Sequence, residues 1–346
     1  MAFNSLIKNN LERKNYLFKV LLSLLFGIAY MTIPNYGDGS NVHYLRGLAA
    51  GGYGYLSNDE FVKSKDAFPI FSLIVELSFV YGKEFLFYIY HCILVSLFFF
   101  WSISIANYST GIQKIDTANL VIAAIIFAIN SIFIENFFIY IFNFNLIYHL
   151  NSGLADQFLL YKEFIPSLFG VFLVGSIYFF LKNKIFISCL LISLSAYLHF
   201  NYLFIGAYLT ISYMIIIYFR DGLKKAFLLG FFTLLSIIPL LIYVYLNFVI
   251  SDSALFERTQ HFMAYERLPH HADTSRWMLD KITIAKVLLI LIGIAFLFIK
   301  KQKKLLIILS TVFIISLILT LIQIISSSLS LALMFPWRST VILVPL

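Results

Sequence analysis

Charge is scarce in this chain. Only 12% of its 346 residues are Asp, Glu, Lys or Arg, against about 25% in ordinary soluble domains. Cysteine is nearly absent. Cys92 and Cys189 are the only two, and both sit inside apolar runs. They read as small core hydrophobes, which leaves no basis for a disulfide framework or a zinc cluster. There is no P-loop and no glycine-rich dinucleotide turn, and no Gly-x-Ser-x-Gly elbow. Gly51–Gly54 forms a flexible loop rather than a phosphate cradle. ATP-driven and flavin-driven chemistry are therefore unsupported. Three more patterns are missing: the short alternating segments of a β-barrel, an internal repeat of fixed period, and a soluble domain. No small-residue cleavage site follows the first apolar run, so that run reads as a retained span and not as a signal peptide.

What is abundant is hydrophobic sequence, at 61% of residues. Apolar runs of about 20 residues recur along the chain, which is the length a helix needs to cross a bilayer. Backbone groups in lipid must be satisfied within their own segment, so these runs are helices. The expectation is an all-α, polytopic helical membrane protein forming a single transmembrane domain over residues 1–346. Nine full spans are expected: about Tyr16–Ile33, Phe85–Ala106, Thr117–Phe142, Pro166–Leu181, Ile185–Leu198, Tyr202–Phe219, Ala226–Ile250, Thr283–Ile299 and Leu305–Ile325. A tenth span has barely begun at Leu346, which reads as a truncated chain missing a C-terminal part. Outer loops are expected at about 34–84, 143–165, 251–282 and 326–338. The run Phe68–Tyr81, opening at Pro69 and closing at Gly82, is too short to span and belongs at the interface.

The net charge is +8. It does not indicate nucleic acid, because Lys and Arg cluster in short loops that orient a membrane protein. Lys8, Arg13 and Lys14 mark a cytoplasmic N-terminus. Lys182, Lys184, Arg220, Lys224, Lys225 and the Lys300–Lys304 cluster then fall on the same side. The pattern implies a membrane crossed many times with the N-terminus in the cytoplasm.

The polar residues crowd at the outer rim. Asp38, in Asn35-Tyr36-Gly37-Asp38-Gly39, follows the first span directly. A carboxylate facing a membrane cavity usually marks a site, and partial burial would raise its pKa and make it a better base. Equally, Asp38 or Ser40 could cap a short helix over Asn41–Ala50. The third outer loop carries Arg267, Pro269, His270 and His271. Arginine forks suit phosphate, and imidazoles can donate to it or shuttle protons. The alternative is a solvated loop whose charges nearly cancel. His199, in a tight turn with Phe200 and Asn201, either lines a cavity or belongs to an aromatic belt. Arg338 either binds a lipid phosphate or snorkels to the interface. His149, Asp156 and Gln157 form a weaker polar set. Adjacent histidines without a helical pair or Cys partner do not make a zinc site.

With these residues in place, the chain resembles the GT-C superfamily of integral-membrane glycosyltransferases. The resemblance rests on one span followed by an acid in a long first outer loop, the Pro69–Gly82 interfacial helix, a repeated set of spans and Arg-bearing outer loops. Arg267-Leu268-Pro269-His270-His271 looks like the Arg-x-Pro-His-His signature of poorly characterised bacterial relatives. Asp38 stands alone where family members often carry a pair of acids. The resemblance implies transfer of a sugar from a polyprenyl-phosphate donor to a glycan, lipid or protein acceptor at the outer face, with inversion. The location it implies is the cytoplasmic (inner) membrane of a bacterium. Asp38 would be the base, and Arg267, His270, His271, His199 and Arg338 would bind the lipid phosphate. No cofactor is expected, and a divalent metal is not favoured beside a lone acid. The rival readings are a polymerase or ligase of lipid-linked polysaccharide and a transporter or flippase. A transporter would favour helices broken near the midplane, for which Pro239 is the one candidate in the sequence.

Overall fold

The computed structural model describes residues 2–31, 38–82, 84–111, 117–143, 145–155, 157–161 and 163–345. Among these residues the secondary structure is helical, apart from one isolated antiparallel bridge between Ser152 and Phe158. The protein is a helical membrane protein. Five helices are long and apolar enough to cross a bilayer, and a bent pair makes a sixth if it counts as one span.

The N-terminal part holds α1 (Ala2–Tyr30), α2 (Asp38–Ala50), α3 (Glu60–Lys63), α4 (Pro69–Leu77) and α5 (Phe85–Thr110). α1 lies along α5, and Gly27 sets how close the two come. A Cβ there would sit 2.5 Å from the Cys92 carbonyl oxygen and 3.1 Å from its Sγ. α2 lies on α4 in the same way. Pro69 occupies the first turn of α4, where its missing N–H costs nothing. A π-helical turn over Ser78–Gly82 then completes the expected 14-residue element. Arg46 fixes the stretch before it. Its guanidinium donates to Phe61 O at 2.9 Å and to Ser64 Oγ at 2.6 Å.

Next come α6 (Thr117–Ile129), α7 (Ile132–Phe142) and α8 (Leu146–Asn151). Here the run Thr117–Phe142, expected as one span, is a bent pair of helices rather than a continuous one. The helix breaks at Asn130–Ser131, and its halves meet at 66°. The cause is local. Ser131 adopts an extended backbone and its Oγ accepts from Ile134 N, so it starts a new helix. Asn130 Nδ2 turns back to Ile126 O at 2.8 Å. Glu135 in α7 is not stranded among apolar neighbours, because Asn145 Nδ2 donates to its Oε1 at 2.8 Å.

The centre of the bundle is α9 (Val171–Leu181), entered through a 3-10 turn at Pro166–Gly170, and α10 (Ile185–Leu198). These helices have 11 and 14 residues, so each rises only about 16–21 Å against a core of about 30 Å. They need not meet lipid along their length. No described residue of α9 is exposed, and α10 exposes only Phe186, Ile187, Leu190 and Leu194. Ser176 Oγ and Ser188 Oγ join the two helices at 2.9 Å, and Tyr213 OH reaches Ser176 Oγ at 3.0 Å.

α11 (Tyr202–Asp221) and α12 (Leu223–Phe248) follow and pack on one another. Four short pieces form the third loop: α13 (Ser253–His261), a π-helical turn at Phe262–Arg267, α14 (Pro269–Ala272) and α15 (Thr274–Trp277). α16 (Lys281–Ile299) and α17 (Lys303–Ser326) are the last long helices, followed by α18 (Leu329–Leu333), a 3-10 turn at Pro336–Ser339 and α19 (Thr340–Leu343).

Candidate functional site

The site is assembled at one end of the bundle from three separated stretches: the turn after α8, the junction between α10 and α11, and the segment after α18. The turn comes first. Gly153 N donates to Gln157 O at 2.8 Å, closing residues 153–157 into a tight loop. Ala155 adopts φ 53° within it, a left-handed conformation uncommon outside glycine. The loop is then pinned from two sides. Leu154 N donates to Thr340 Oγ1 at 2.7 Å. Lys286, a buried residue of α16, donates from Nζ to Ser152 Oγ at 2.6 Å and to Gly153 O at 2.8 Å. Gly153 is required here, since a Cβ would come within 2.5 Å of Thr340 Oγ1.

This turn presents Gln157 to Arg338. Arg338 Nε donates to Gln157 Oε1 at 2.6 Å, and Nη1 lies 3.4 Å from His199 Nε2. The guanidinium carbon sits 6.0 Å from the Tyr202 ring centroid and 5.8 Å from that of Phe335, at the limit of cation–π attraction. No carboxylate among the described residues lies within ion-pair distance of Arg338. Burial accordingly pulls its pKa down, opposed by Tyr202.

His199 is the C-cap of α10 and is buried. Its pKa lies well below the ordinary imidazole value. Burial is the main cause, followed by the Arg338 charge and then His43. It is therefore neutral near pH 7 and offers Nε2 as an acceptor to Arg338. Its ring lies 5.0 Å from that of Phe68, and the Phe68 ring lies 5.3 Å from His43. Burial lowers the His43 pKa to about 4.

The sequence-based candidates thus divide. His199 and Arg338 come together directly. His271 joins from α14, where its Nδ1 is 2.6 Å from Ala155 O and its ring 5.7 Å from Phe335. Arg267 and His270 are both exposed, although the His270 and His271 rings are 4.0 Å apart. Asp38 is the first residue of α2, three positions earlier than the expected helix start. Its side chain lies outside the described ones, as do Asn35, Tyr36, Gly37 and Asp156 altogether. Among the described residues, no group of three or more His, Cys, Asp and Glu could hold a metal ion.

Three site residues escaped the sequence reading or were undervalued by it: Gln157, Lys286 and His43. Lys286 carried a signal, as a lysine one turn inside an apolar span, where charge is costly and marks function by default. Below Lys286 an apolar cleft of about 540 Å³ opens between α5, α6, α16 and α17. Ile290 lines it one helical turn on from Lys286, with Leu150 from α8 and Leu343 from α19. The arrangement offers cationic groups at a rim and a hydrocarbon-lined cleft beneath. That combination suits an amphiphile with an anionic head. Neither a family model, nor a curated protein, nor a solved structure matches this chain.

Proposed function

We propose that the protein is a GT-C-like glycosyltransferase of the bacterial cytoplasmic membrane. It takes a sugar from a polyprenyl-phosphate donor at the outer face and inverts the anomeric centre. The observation that carries this reading is the state of Arg338. It is a partly enclosed guanidinium whose polar partners are a neutral amide and a neutral imidazole. A buried charge without a counter-ion is costly, and a phosphate oxygen pair is the natural complement of its fork. The apolar cleft takes part of the isoprenoid chain. His271 and the more exposed Arg267 and His270 flank the head group. Asp38, at the start of α2, takes the proton of the acceptor hydroxyl as that oxygen attacks the anomeric carbon. Arg338 stabilises the phosphate as it leaves, an electrostatic contribution that commonly dominates such reactions. No cofactor takes part in this scheme. The N-terminus lies in the cytoplasm, and the nine-span topology completes the reading, with α9 and α10 as short spans sheltered by their neighbours.

A transporter of lipid-linked substrates is the second reading. The 66° break between α6 and α7, together with Pro239 inside α12, favours it, because broken helices mark transporter sites.

Purified protein and a panel of polyprenyl-phosphate sugars decide between the two. Wild type should release polyprenyl phosphate, and Asp38→Asn should abolish release while lipid binding persists. Arg338→Gln should lower turnover by about 10²-fold, and Arg338→Lys should restore only part of it because a lysine lacks the fork. Folded wild-type protein that flips lipid-linked sugar across liposomes without hydrolysing or transferring it would establish the transporter instead.

A further inference from the structure

We propose that the end of the bundle opposite Arg338 carries a second anion site, one that binds a phosphate group. The site is a cavity of about 660 Å³ walled by α1, α5, α9 and the turn between α16 and α17. Lys19, Asn107, Lys182 and Gln302 line it, together with Asn15 and Ser104. It lies at the far end of the same helices that build the first site. Lys286 and Gln302 bracket most of α16, whose stretch from Lys286 to Ile299 rises about 20 Å.

Asn107 is the central observation. It is only 5% exposed, and neither its Oδ1 nor its Nδ2 has a hydrogen-bond partner. A buried amide left unmet costs about 1–3 kcal/mol, so a partner is expected for it. The charges beside it say what kind. Lys19 and Lys182 line the same cavity, and their ammonium groups repel one another. No carboxylate lines the cavity among the described residues. The adjoining rim adds Lys304, while Arg220 beside it is already paired with Asp221 at 2.8 Å. Arg220 Nη1 and Lys304 Nζ both donate to Asn183 Oδ1, at 2.8 and 2.9 Å. A ligand that relieves all of this must be anionic and must carry several acceptor oxygens. Phosphate does both: its oxygens accept from the two ammonium groups and from Asn107 Nδ2. Tyr16, Tyr108 and Tyr178 stand around the opening with a polar edge on an apolar body, which suits the boundary between head group and chain. The phosphate comes either from an anionic phospholipid of that leaflet or from a soluble phosphate compound. The proposal does not depend on the reaction assigned to the Arg338 end.

The test uses full-length protein in detergent. Native mass spectrometry reads retention of phosphatidylglycerol, with diacylglycerol as the neutral control. Thermal shift with inorganic phosphate and pyrophosphate reads the soluble source. Lys182→Gln changes an exposed side chain and should leave the fold intact. Asn107→Leu replaces the unmet amide with an apolar group of similar size and should not lower the melting midpoint. Both variants should bind about tenfold more weakly or worse, the effect of losing one charge-assisted hydrogen bond. Selective phosphatidylglycerol retention that both variants lose would identify a lipid head group. Stabilisation by phosphate or pyrophosphate that both variants lose would identify a soluble ligand at the same site. The proposal is overturned if wild type responds to neither, if diacylglycerol is retained equally, or if the variants match wild type.

Discussion

His43 shows how a single side chain makes the protein sensitive to acid. In the unfolded chain an imidazole takes up its proton near pH 6.5. In the fold, burial delays protonation of His43 to about pH 4. Between those values the unfolded state holds more protons, so stability rises with pH there. The full contribution is present above about pH 6.5 and is lost as pH falls toward 4. Its ceiling is on the order of 3 kcal/mol. His199, buried and further depressed by the Arg338 charge, acts in the same sense. The melting midpoint in detergent should therefore drop between pH 7 and pH 5, and His43→Phe should flatten that dependence in part. An unchanged slope would show that His43 is open to water. His199 and Arg338 could be picked out of the sequence as separate rim residues, because charge and imidazole stand out against an apolar background. Their pairing could not, since 139 positions separate them. Nor could the role of Gln157, named only as part of a weaker polar set, because it comes from a loop geometry held by Thr340, Lys286 and His271.

Elements were legible where punctuation is local. Pro69 and Gly82 bound the short helix as expected, because proline and glycine act on their own backbone. The turn at His199–Asn201 also falls between two helices as anticipated. The break at Asn130–Ser131 was not legible, since one serine cap inside an apolar run leaves the hydropathy unchanged. α9 is ambiguous for a related reason. A helix enclosed by protein on all sides is as uniformly apolar as one facing lipid. Two changes probe how the elements are held. Lys286→Met should strip two hydrogen bonds from the 152–158 turn and leave Gly153 O unmet, at a cost of about 1–3 kcal/mol. The readout is a lower melting midpoint with new protease cleavage in that turn. Gly27→Leu should force α1 away from α5 and lower stability by about 1–3 kcal/mol or more, again seen in the melting midpoint. A neutral outcome would mean that α1 shifts without resistance.

At the scale of the molecule, membrane class was readable from composition alone, because lipid forbids unsatisfied backbone. The number of crossings was not, because burial by neighbours and burial by lipid leave the same trace in sequence. Orientation can be tested directly along α16, which has Leu279 before one end and Lys301 beyond the other. In a background lacking Cys92 and Cys189, Leu279→Cys should react with an impermeant maleimide on intact cells. Lys301→Cys should react only after permeabilisation. The reverse pattern would invert the topology, and equal reaction from one side would show that α16 does not cross.

The bond from Leu154 N to Thr340 Oγ1 joins positions 186 apart, and this sets a timetable for biogenesis. At about 5–20 residues per second, roughly 10–40 s of synthesis separate the emergence of the 153–157 turn from that of the strap that closes it. Through that interval the Ala155 turn has no Thr340 clasp, and Gln157 has no arginine to accept from. The Arg338 pocket is therefore completed only after α16 and α17 have been made. A ribosome that stalls between the end of α17 and residue 335 leaves the long helices made and the site unfinished.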